Sequence, residues 1–206
     1  MYKIVSVNIG KAVPYEHTTP KITGIFKKPQ QGPVQIGAYG LDGDAICDLK
    51  HHGGLDQAVY LYGEPDYAFW SKEIGRTLEP GTFGENLTLA NLESARICIG
   101  DRFTLGTLVL EVNSPRIPCR TFAARMDDKL FVKKFLAANR PGIYCRVLAD
   151  GPVQAGDALT LLPFEGERIE IIEMNQTWNR MDLDAATKAR YLATPIHSKE
   201  RAKWSG

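Results

Sequence analysis

The stretch "TLVLEVNSPRIPCR", residues 107–120, joins a strand pattern to a rigid loop that carries one cysteine. Apolar residues alternate with other residues over positions 107–113, which predicts a β-strand. Pro115 and Pro118 then fix φ at two positions, and each favours extended geometry at the residue before it. A cysteine used only as core filling would need neither proline. We therefore expect Cys119 on a stiff loop at the end of a strand.

Cys119 is flanked by two cationic residues, Arg116 and Arg120. Cationic neighbours favour the thiolate over the thiol, and the thiolate is both the nucleophile and the metal ligand. Proline-rich turns that bury an unreactive cysteine are also common. The stretch alone therefore leaves a functional and a structural interpretation of Cys119 open.

The same strand-like texture recurs through the first 160 residues or so of the chain. Glycines lie mostly between the apolar runs, as the turns of a β-barrel require. A mainly β, closed or partly open barrel is therefore predicted. Besides 107–113, the predicted strands are 2–9, 22–26, 57–62, 86–90, 142–148 and 158–163.

Helical patterns interrupt the strands twice and dominate the chain after Pro163. "GEPDYAFWSKEIG" (63–75) has a proline at its start and a glycine at its end, and "DDKLFVKKFLAANRPG" (127–142) places apolar residues four apart. Three further helices are predicted within 169–178, 181–192 and 194–204. Asp182 or Asp184 would cap the second, and Thr194 with Pro195 would open the third. We therefore predict a barrel domain over 1–163 and a three-helix extension over 164–206.

The composition excludes several classes of function. The chain has 206 residues, with 44% hydrophobic residues, 24% charged residues and a formal charge of +1, so nothing indicates attraction to nucleic acid or membranes. Residues 165–206 hold seven basic and seven acidic side chains, unlike a DNA-reading helical domain. No apolar run approaches a membrane span, and the N-terminal segment does not resemble a signal peptide. We expect a cytoplasmic protein that binds neither nucleic acid nor a membrane.

The other three cysteines are expected to be small buried hydrophobic residues. Cys47, Cys98 and Cys145 lie far apart in sequence, and no CxxC pair is present for zinc or an iron–sulfur cluster. Nucleotide, zinc-protease and serine-hydrolase motifs are also missing.

A second candidate segment is "KHHGGLDQAVYLY", residues 50–62. Gly53 and Gly54 allow the backbone to approach a ligand closely, and His51 or His52 could donate to a phosphate or a pterin-like ring. An ordinary turn before a strand is the alternative. Lys50 is the one candidate for a pyridoxal phosphate lysine, and we disfavour that cofactor. Upstream, Asp44 in "GLDGD" could serve a turn or a site.

A third candidate segment is "GTFGENLTL", residues 81–89. Gly84 allows a close approach, and the Asn86 amide can read a heteroaromatic edge through paired hydrogen bonds. A hairpin turn explains this segment nearly as well.

Taken together, "GLDGD", "HHGGLDQAVYLY", "FGENL" and "SPRIPC" resemble the MOSC family, named for the C-terminal domain of molybdenum cofactor sulfurases. Their order and spacing are similar to the YiiM-type branch, which is associated with resistance to N-hydroxylated bases such as 6-hydroxylaminopurine. The resemblance covers about residues 1–163, and the helical tail is similar to the extension of that branch. It implies a barrel that binds the molybdenum cofactor, with the motif cysteine as a metal ligand.

Carried over by position, the resemblance makes Cys119 the metal ligand and catalytic residue. Arg116 and Arg120 become candidates for binding the cofactor phosphate or tuning the thiolate, and only one of them is expected to face the site. The remaining implied cofactor-binding residues are His52, Gly53, Gly54, Asp56 and Asn86.

The function implied is reduction of a small N-hydroxylated substrate at molybdenum, a metal that accepts soft sulfur ligands. Electrons would come from a separate flavoprotein or ferredoxin-type donor, for which the tail offers a docking surface. Two alternatives stay open: a persulfide-based sulfur-transfer protein using Cys119, and a non-catalytic carrier of the cofactor. The sequence leaves the choice between monomer and homodimer open.

Overall fold

The computed structural model describes residues 1–18, 21–178, 180 and 182–205, and it confirms a mainly β chain with helices. Most strands are short, as expected for a barrel whose loops carry much of the chain. The strands of the described residues are β1 (Tyr2–Gly10), β2 (Val13–Pro14), β3 (Ile22–Thr23), β4 (Lys27–Pro29), β5 (Val34–Gly37), β6 (Gly40–Leu41), β7 (Val59–Gly63), β8 (Leu87–Leu89), β9 (Arg102–Leu105), β10 (Leu108–Pro115), β11 (Ile143–Ala149), β12 (Gly151–Val153) and β13 (Ala158–Leu162).

Helices lie between β7 and β8, between β10 and β11, and after β13. They are α1 (Glu64–Ile74), α2 (Arg120–Arg125), α3 (Phe131–Ala138), α4 (Ile171–Thr177), α5 (Ala185–Leu192) and α6 (Ser198–Trp204), with short 3₁₀ turns at Leu55–Gln57 and Ser94–Arg96.

Seven strands close into a barrel. They hydrogen-bond in the order β13, β9, β10, β11, β7, β8 and β1, and β1 pairs back onto β13. Neighbouring strands are antiparallel except β7 and β8, which run parallel. Because closure leaves the barrel without free edges, the closed form of the predicted barrel is confirmed.

Strand β7 separates two apolar clusters. Val59 and Leu61 belong to the aliphatic core, whereas Tyr60 and Tyr62 belong to an aromatic cluster shared with α1, α2 and α3. Successive side chains of a strand point to opposite faces, so one five-residue strand contributes to both clusters. The tyrosines therefore belong to the same aromatic cluster as α2, the helix that begins directly after Cys119.

Two predicted strands are irregular. In β1 the register shifts between Ile4 and Ser6, and Val5 is 36% exposed, so a bulge accounts for the uneven alternation there. The predicted strand 22–26 is wrong in extent, because β3 ends at Thr23 and β4 begins at Lys27. Gly24 between them lies so close to Ala45 that a Cβ would be 1.8 Å from the carbonyl oxygen of Ala45.

Helices α1 and α3 are confirmed, but α2 was not predicted. Gly75 ends α1 and Asn139 ends α3, each in the left-handed conformation that suits a helix C-terminus. Helix α2 has only six residues. It is too short to produce a periodic apolar pattern, so the sequence showed only a proline-rich loop.

The three tail helices are confirmed, although the third begins later than predicted. Asp184, not Asp182, caps α5 by accepting the N–H of Thr187 at 2.7 Å. Helix α6 begins at Ser198, because the backbone before it is held against the barrel: the His197 N–H donates to the carbonyl of Asn113 at 3.1 Å. The predicted start at Thr194 and Pro195 is therefore wrong.

The tail contributes to the same aliphatic core as the barrel strands. Its buried members are Ile169, Ile171, Met174, Leu183, Tyr191, Ile196 and Trp204. The division at residue 163 remains a prediction about domains, and the two parts share one continuous apolar cluster. Among the described residues, no helix combines the length and apolar character that crossing a bilayer requires.

Candidate functional site

A cavity forms where β7, β11 and several loops of the barrel meet. Segments that are far apart in sequence line it, and they contribute, among others, Lys27, Asp44, His52, Gly53, Gln57, Asn86, Arg116, Cys119 and Tyr144. The three candidate segments of the sequence, residues 50–62, 81–89 and 107–120, thus meet at one cavity. Residues that the sequence did not predict also line it.

Cys119 lies between the end of a barrel strand and a helix. Strand β10 ends at Pro115, and Cys119 is the extended residue directly before α2, with φ −120° and ψ 173°. Its carbonyl accepts the N–H of Ala123 at 3.2 Å, so the first turn of the helix holds its backbone. The side chain is partly buried and lines the cavity.

The surroundings of Cys119 stabilise its thiolate. Burial by itself raises the pKa of Cys119, but a hydrogen bond with His52, the charges of Arg116 and His52, and the N–H of Phe122 together lower that pKa to about 6. The cysteine is therefore largely ionised at neutral pH and able to act as a nucleophile or a metal ligand.

The remaining cysteines do not share this property. Burial raises the pKa of Cys47, Cys98 and Cys145, and Asp44 raises that of Cys47 further. Cys98 and Cys145 are buried, as predicted, whereas Cys47 is only partly buried and lines the cavity.

Of the two arginines beside Cys119, Arg116 lies in the cavity wall. Its guanidinium carbon is 4.0 Å from the ring centre of Phe122 and 5.2 Å from that of Tyr60, and Nη1 donates to the carbonyl of Phe83 at 2.7 Å. Burial lowers the pKa of Arg116, but the nearby Tyr60, Tyr144 and Cys119 outweigh burial and raise it. Arg120, the first residue of α2, is exposed and lies outside the cavity lining.

The two histidines take different positions. His52 lines the cavity, whereas the side chain of His51 is 63% exposed and its Nδ1 is 2.8 Å from the Asp48 carboxylate. Gly53 also lines the cavity. It has φ 75°, and a Cβ there would lie 2.9 Å from Cδ1 of Ile46, so a larger residue would be strained and crowded. Gly54 lies outside the lining, at the start of the 3₁₀ turn.

Asp56 faces the tail rather than the cavity. Its carboxylate is 2.6 Å from Nη2 of Arg146 and accepts the N–H of Ser198 at 2.8 Å. Arg146 in turn donates to the carbonyl of Ile196 at 3.1 Å. Asp56 thus links the turn after the histidines to the start of α6, which is a different role from the cofactor contact that the resemblance implied.

Asn86 is part of a polar network in the cavity wall. Its Nδ2 donates to Asp44 at 2.9 Å, and its Oδ1 accepts the N–H of Tyr60 at 3.1 Å. Asp44 also accepts the N–H of Gly10 at 2.8 Å and forms an ion pair with Lys27. Burial lowers the pKa of Lys27 more than Asp44 raises it. Because both the oxygen and the nitrogen of the Asn86 amide are hydrogen-bonded to protein groups, the side chain mainly holds the cavity wall together. It is less available for the paired hydrogen bonds to a heteroaromatic ring that the sequence suggested.

Sequence reasoning missed several polar residues of the cavity, among them Lys27 and Tyr144. Lys27 gave no signal, because its partner Asp44 is 17 residues away in sequence. Tyr144 could have been placed by the alternation of β11: its neighbours Ile143 and Cys145 are fully buried, so Tyr144 must point to the opposite face.

The cavity also contains a polar atom that indicates a ligand. Oε1 of Gln57 is buried and has no hydrogen-bond partner among the described residues, and Gln57 lines the cavity. Buried polar atoms in native proteins are nearly always paired. A bound molecule would give this oxygen a partner after a small shift of the amide.

Comparisons with known proteins agree with this architecture. The MOSC domain matches residues 48–160. The chain is 40% identical over 162 residues to the uncharacterized protein YflK of Bacillus subtilis, covering 78% of this chain and 73% of that protein. It is also 35% identical over 146 residues to a protein of Gibberella moniliformis named reductase, covering 68% of this chain but only 26% of that longer protein.

The fold agrees with a crystal structure of YiiM from Geobacillus stearothermophilus. The two chains superpose with a TM-score of 0.82 at 27% sequence identity, over 100% of this chain and 98% of the other. The matched segment includes Cys119, His52 and the strands that hold them, and the structural similarity extends over the tail as well. This chain therefore belongs to the MOSC domain family.

Proposed function

We propose that this protein is a molybdenum-cofactor-dependent reductase of N-hydroxylated compounds, in which the Cys119 thiolate holds the metal. The observation that supports it most is a thiol with a pKa of about 6 in a cavity that also contains Arg116 and His52. A protein thiolate of this kind is a ligand suited to soft metal centres.

The residues of the cavity fit the cofactor. No cluster of three or more His, Cys, Asp or Glu side chains capable of holding a metal occurs among the described residues. A metal at Cys119 would therefore have to bring its other ligands, as the dithiolene of this cofactor does. Arg116 and Lys27 are cations suited to its phosphate, and Gln57 Oε1 is an acceptor without a partner.

The bound cofactor would supply the two-electron reduction of the N–O bond. The chain would contribute a fixed thiolate, a buried cation close to it, and a wall that limits access of water. Phe122 and Tyr60 hold Arg116 between their rings, so its charge stays in place without a solvent shell. Family membership and the relative named reductase also support an oxidoreductase.

The test is to produce the protein in cells that make the cofactor and to measure molybdenum and pterin per chain, followed by reduction of a hydroxylaminopurine. Cys119→Ser should lose the metal and lower turnover by at least about 100-fold, because even residues that only orient metal ligands cost 10–100-fold when replaced. Cys98→Ser is the matched control. It removes a thiol outside the cavity and should keep metal and turnover.

The other outcomes discriminate among the alternatives. Stoichiometric metal without turnover would favour a cofactor carrier. Sulfane sulfur on Cys119 without metal would favour persulfide transfer. Equal metal content in wild type and Cys119→Ser would show that the thiolate does not hold the cofactor.

We also propose an external electron donor, of flavoprotein or ferredoxin type, in the cytoplasm. All four cysteines are free, which is typical of proteins in a reducing compartment. The tail remains the proposed docking surface, but deleting it would uncover the shared core, including Tyr191 and Trp204. Charge reversal of the exposed Lys199 is a cleaner test.

Lys199→Glu should lower turnover with the protein donor and leave turnover with a small artificial reductant unchanged. Exposed Lys72 on α1 offers the control, since Lys72→Glu makes the same charge change away from the tail. Equal losses with both reductants would exclude docking at this surface.

A further inference from the structure

Tyr144 lies in the wall of the Cys119 cavity, and the role inferred for it rests on the proposed function. It is the second residue of β11 and is paired in register with Tyr60 of β7. The centres of the two rings are 5.1 Å apart, and both residues line the cavity. Strand pairing on both sides fixes the position of Tyr144, because β11 also pairs with β10 through Ser114.

The hydroxyl of Tyr144 differs from those of the neighbouring tyrosines. Tyr60 donates to the carbonyl of Pro141 at 2.8 Å, Tyr62 to the carbonyl of Arg140 at 3.1 Å, and Tyr67 to the Glu85 carboxylate at 2.6 Å. The Tyr144 hydroxyl makes no hydrogen bond within the described part of the chain, and it is not among the polar atoms sealed in the interior. It is a donor available to whatever enters the cavity.

Burial is the main reason that the pKa of the Tyr144 hydroxyl is raised. Burial raises the pKa of Tyr144, Arg116 lowers it, and the negative charges of Cys119 and Asp44 raise it again, with a raised pKa as the result. Tyr144 and Cys119 line the same cavity. The cavity that contains the proposed metal ligand therefore also contains a phenol hydroxyl with no hydrogen-bond partner in the described part of the chain.

The basic side chains of the cavity are already engaged. Lys27 is paired with Asp44, His52 is hydrogen-bonded to Cys119, and Arg116 donates to the carbonyl of Phe83. Moving a proton from any of these would break a contact that shapes the site. Tyr144 can release a proton and take one back from solvent without such a loss.

We propose that the Tyr144 hydroxyl donates to the N-hydroxylated substrate and supplies the proton that its nitrogen takes up. In the overall reaction the N–O bond breaks, an N–H bond forms and the oxygen leaves as water. The external donor would provide the two electrons, and the cofactor, when bound, would supply the redox chemistry. Of the two protons required, Tyr144 delivers one and is reprotonated by solvent, and solvent provides the other. Tyr144 is thus a catalytic residue of the general-acid type.

The test compares Tyr144→Phe with Tyr62→Phe in the cofactor-loaded protein. Both remove one phenolic hydroxyl from neighbouring strands, but Tyr62 lies outside the cavity. Tyr144→Phe should lower kcat by roughly 100-fold, within the usual range for a lost general acid, with little change in KM. Its residual kcat should fall as pH rises, because hydronium then supplies the proton. Tyr62→Phe should keep both kcat and the wild-type pH profile.

Two readouts do not depend on turnover. Molybdenum and pterin per chain should be the same in Tyr144→Phe and wild type, and the pH midpoint for alkylation of Cys119 in the cofactor-free chain should stay near 6. Loss of cofactor, or a shifted midpoint, would show that Tyr144 acts through binding or through the sulfur and would overturn the proposal.

The kinetic outcomes separate this proposal from the proposed function. If loaded wild type reduces the hydroxylaminopurine and Tyr144→Phe does so within about twofold of its kcat, the role of Tyr144 is overturned and the reductase stands. If loaded wild type reduces no N-hydroxylated compound, both are overturned.

Discussion

The segment formed by residues 50–62 contributes both to the Cys119 cavity and to the contact between the barrel and the tail. We call this contact the tail junction, and it consists of Asp56, Arg146, His197 and Ser198. The two regions use the segment in opposite ways. In the cavity, His52 faces a low-pKa thiol, while the Tyr144 hydroxyl and Gln57 Oε1 lack partners in the described chain. In the junction, Asp56 binds both Arg146 and the N–H of Ser198.

The comparison shows how the proposed ligand site differs from a structural contact of similar polarity. Unpaired polar groups cost free energy when they are partly buried. A binding cavity keeps them because a ligand completes their hydrogen bonds, whereas a structural junction pairs its carboxylate within the chain. The 3₁₀ turn at Leu55–Gln57 separates the two, since Gln57 lines the cavity and Asp56, one residue earlier, faces the tail.

The largest effect is expected at the junction. Asp56→Asn should lower the free energy of unfolding by about 2 kcal/mol, less than for a fully buried pair, because Arg146 loses its partner while remaining partly shielded from water. Cofactor content should stay at the wild-type level. Denaturant titration and metal analysis measure the two quantities.

Asp182→Asn is the control for that change, since its ion pair with Arg180 is exposed and should contribute far less to stability than the pair of Asp56 with Arg146. The assignment of Asp56 to the junction would be wrong if Asp56→Asn lost the cofactor at unchanged stability.

The next effect concerns the thiol of the cavity. His52→Gln should raise the pKa of Cys119 by about one unit, because the thiolate loses a hydrogen-bond partner and a nearby positive charge. The pH dependence of Cys119 alkylation in the cofactor-free chain measures this pKa. His51→Gln alters an exposed ring paired with Asp48 and should leave the pKa unchanged. A larger shift from His51 than from His52 would reverse their roles.

The smallest of the three effects is a pH dependence of stability at the junction. The pKa of His197 is lowered, and burial is the main cause. Lys199 and Arg146 lower this pKa as well, whereas Asp56 raises it. Nδ1 of His197 accepts the N–H of Lys199 at 3.0 Å, which requires this nitrogen to be unprotonated. The folded protein therefore holds His197 neutral at pH values where the unfolded chain protonates it.

The contribution of neutral His197 to the free energy of unfolding is therefore complete above its ordinary pKa of 6.5, and it declines as the pH falls below that value. Burial raises the pKa of Asp56, but Ser198, Arg146 and His197 together lower it by more than burial raises it. The stabilisation that Asp56 provides is therefore lost only below its ordinary pKa of 3.8. Unfolding measured between pH 7 and 5 should show the first decline, roughly spanning the titration of histidine. His197→Asn should flatten it, and an unchanged slope would contradict the assignment.

Much of the site could be predicted locally. The two prolines and the alternation before them indicated a strand followed by a rigid cysteine, and Cys119 does follow β10 and line the cavity. The expectation that one of two arginines would face the site also agrees with Arg116 in the wall and Arg120 in solvent. Backbone restriction and side-chain alternation act over a few residues, so they can be inferred from a short stretch.

Other features required the three-dimensional arrangement. Which histidine faces the cavity, the pairing of Asp44 with Lys27 and the assignment of Asp56 to the tail all depend on partners that are distant in sequence. By itself, the sequence determined a barrel with a helical tail and a proline-braced cysteine, because local backbone preferences and hydrophobic periodicity encode them. Only the tertiary structure decided which polar groups meet at the cysteine and which hold the tail, because electrostatic and hydrogen-bond partners are set by distance in space.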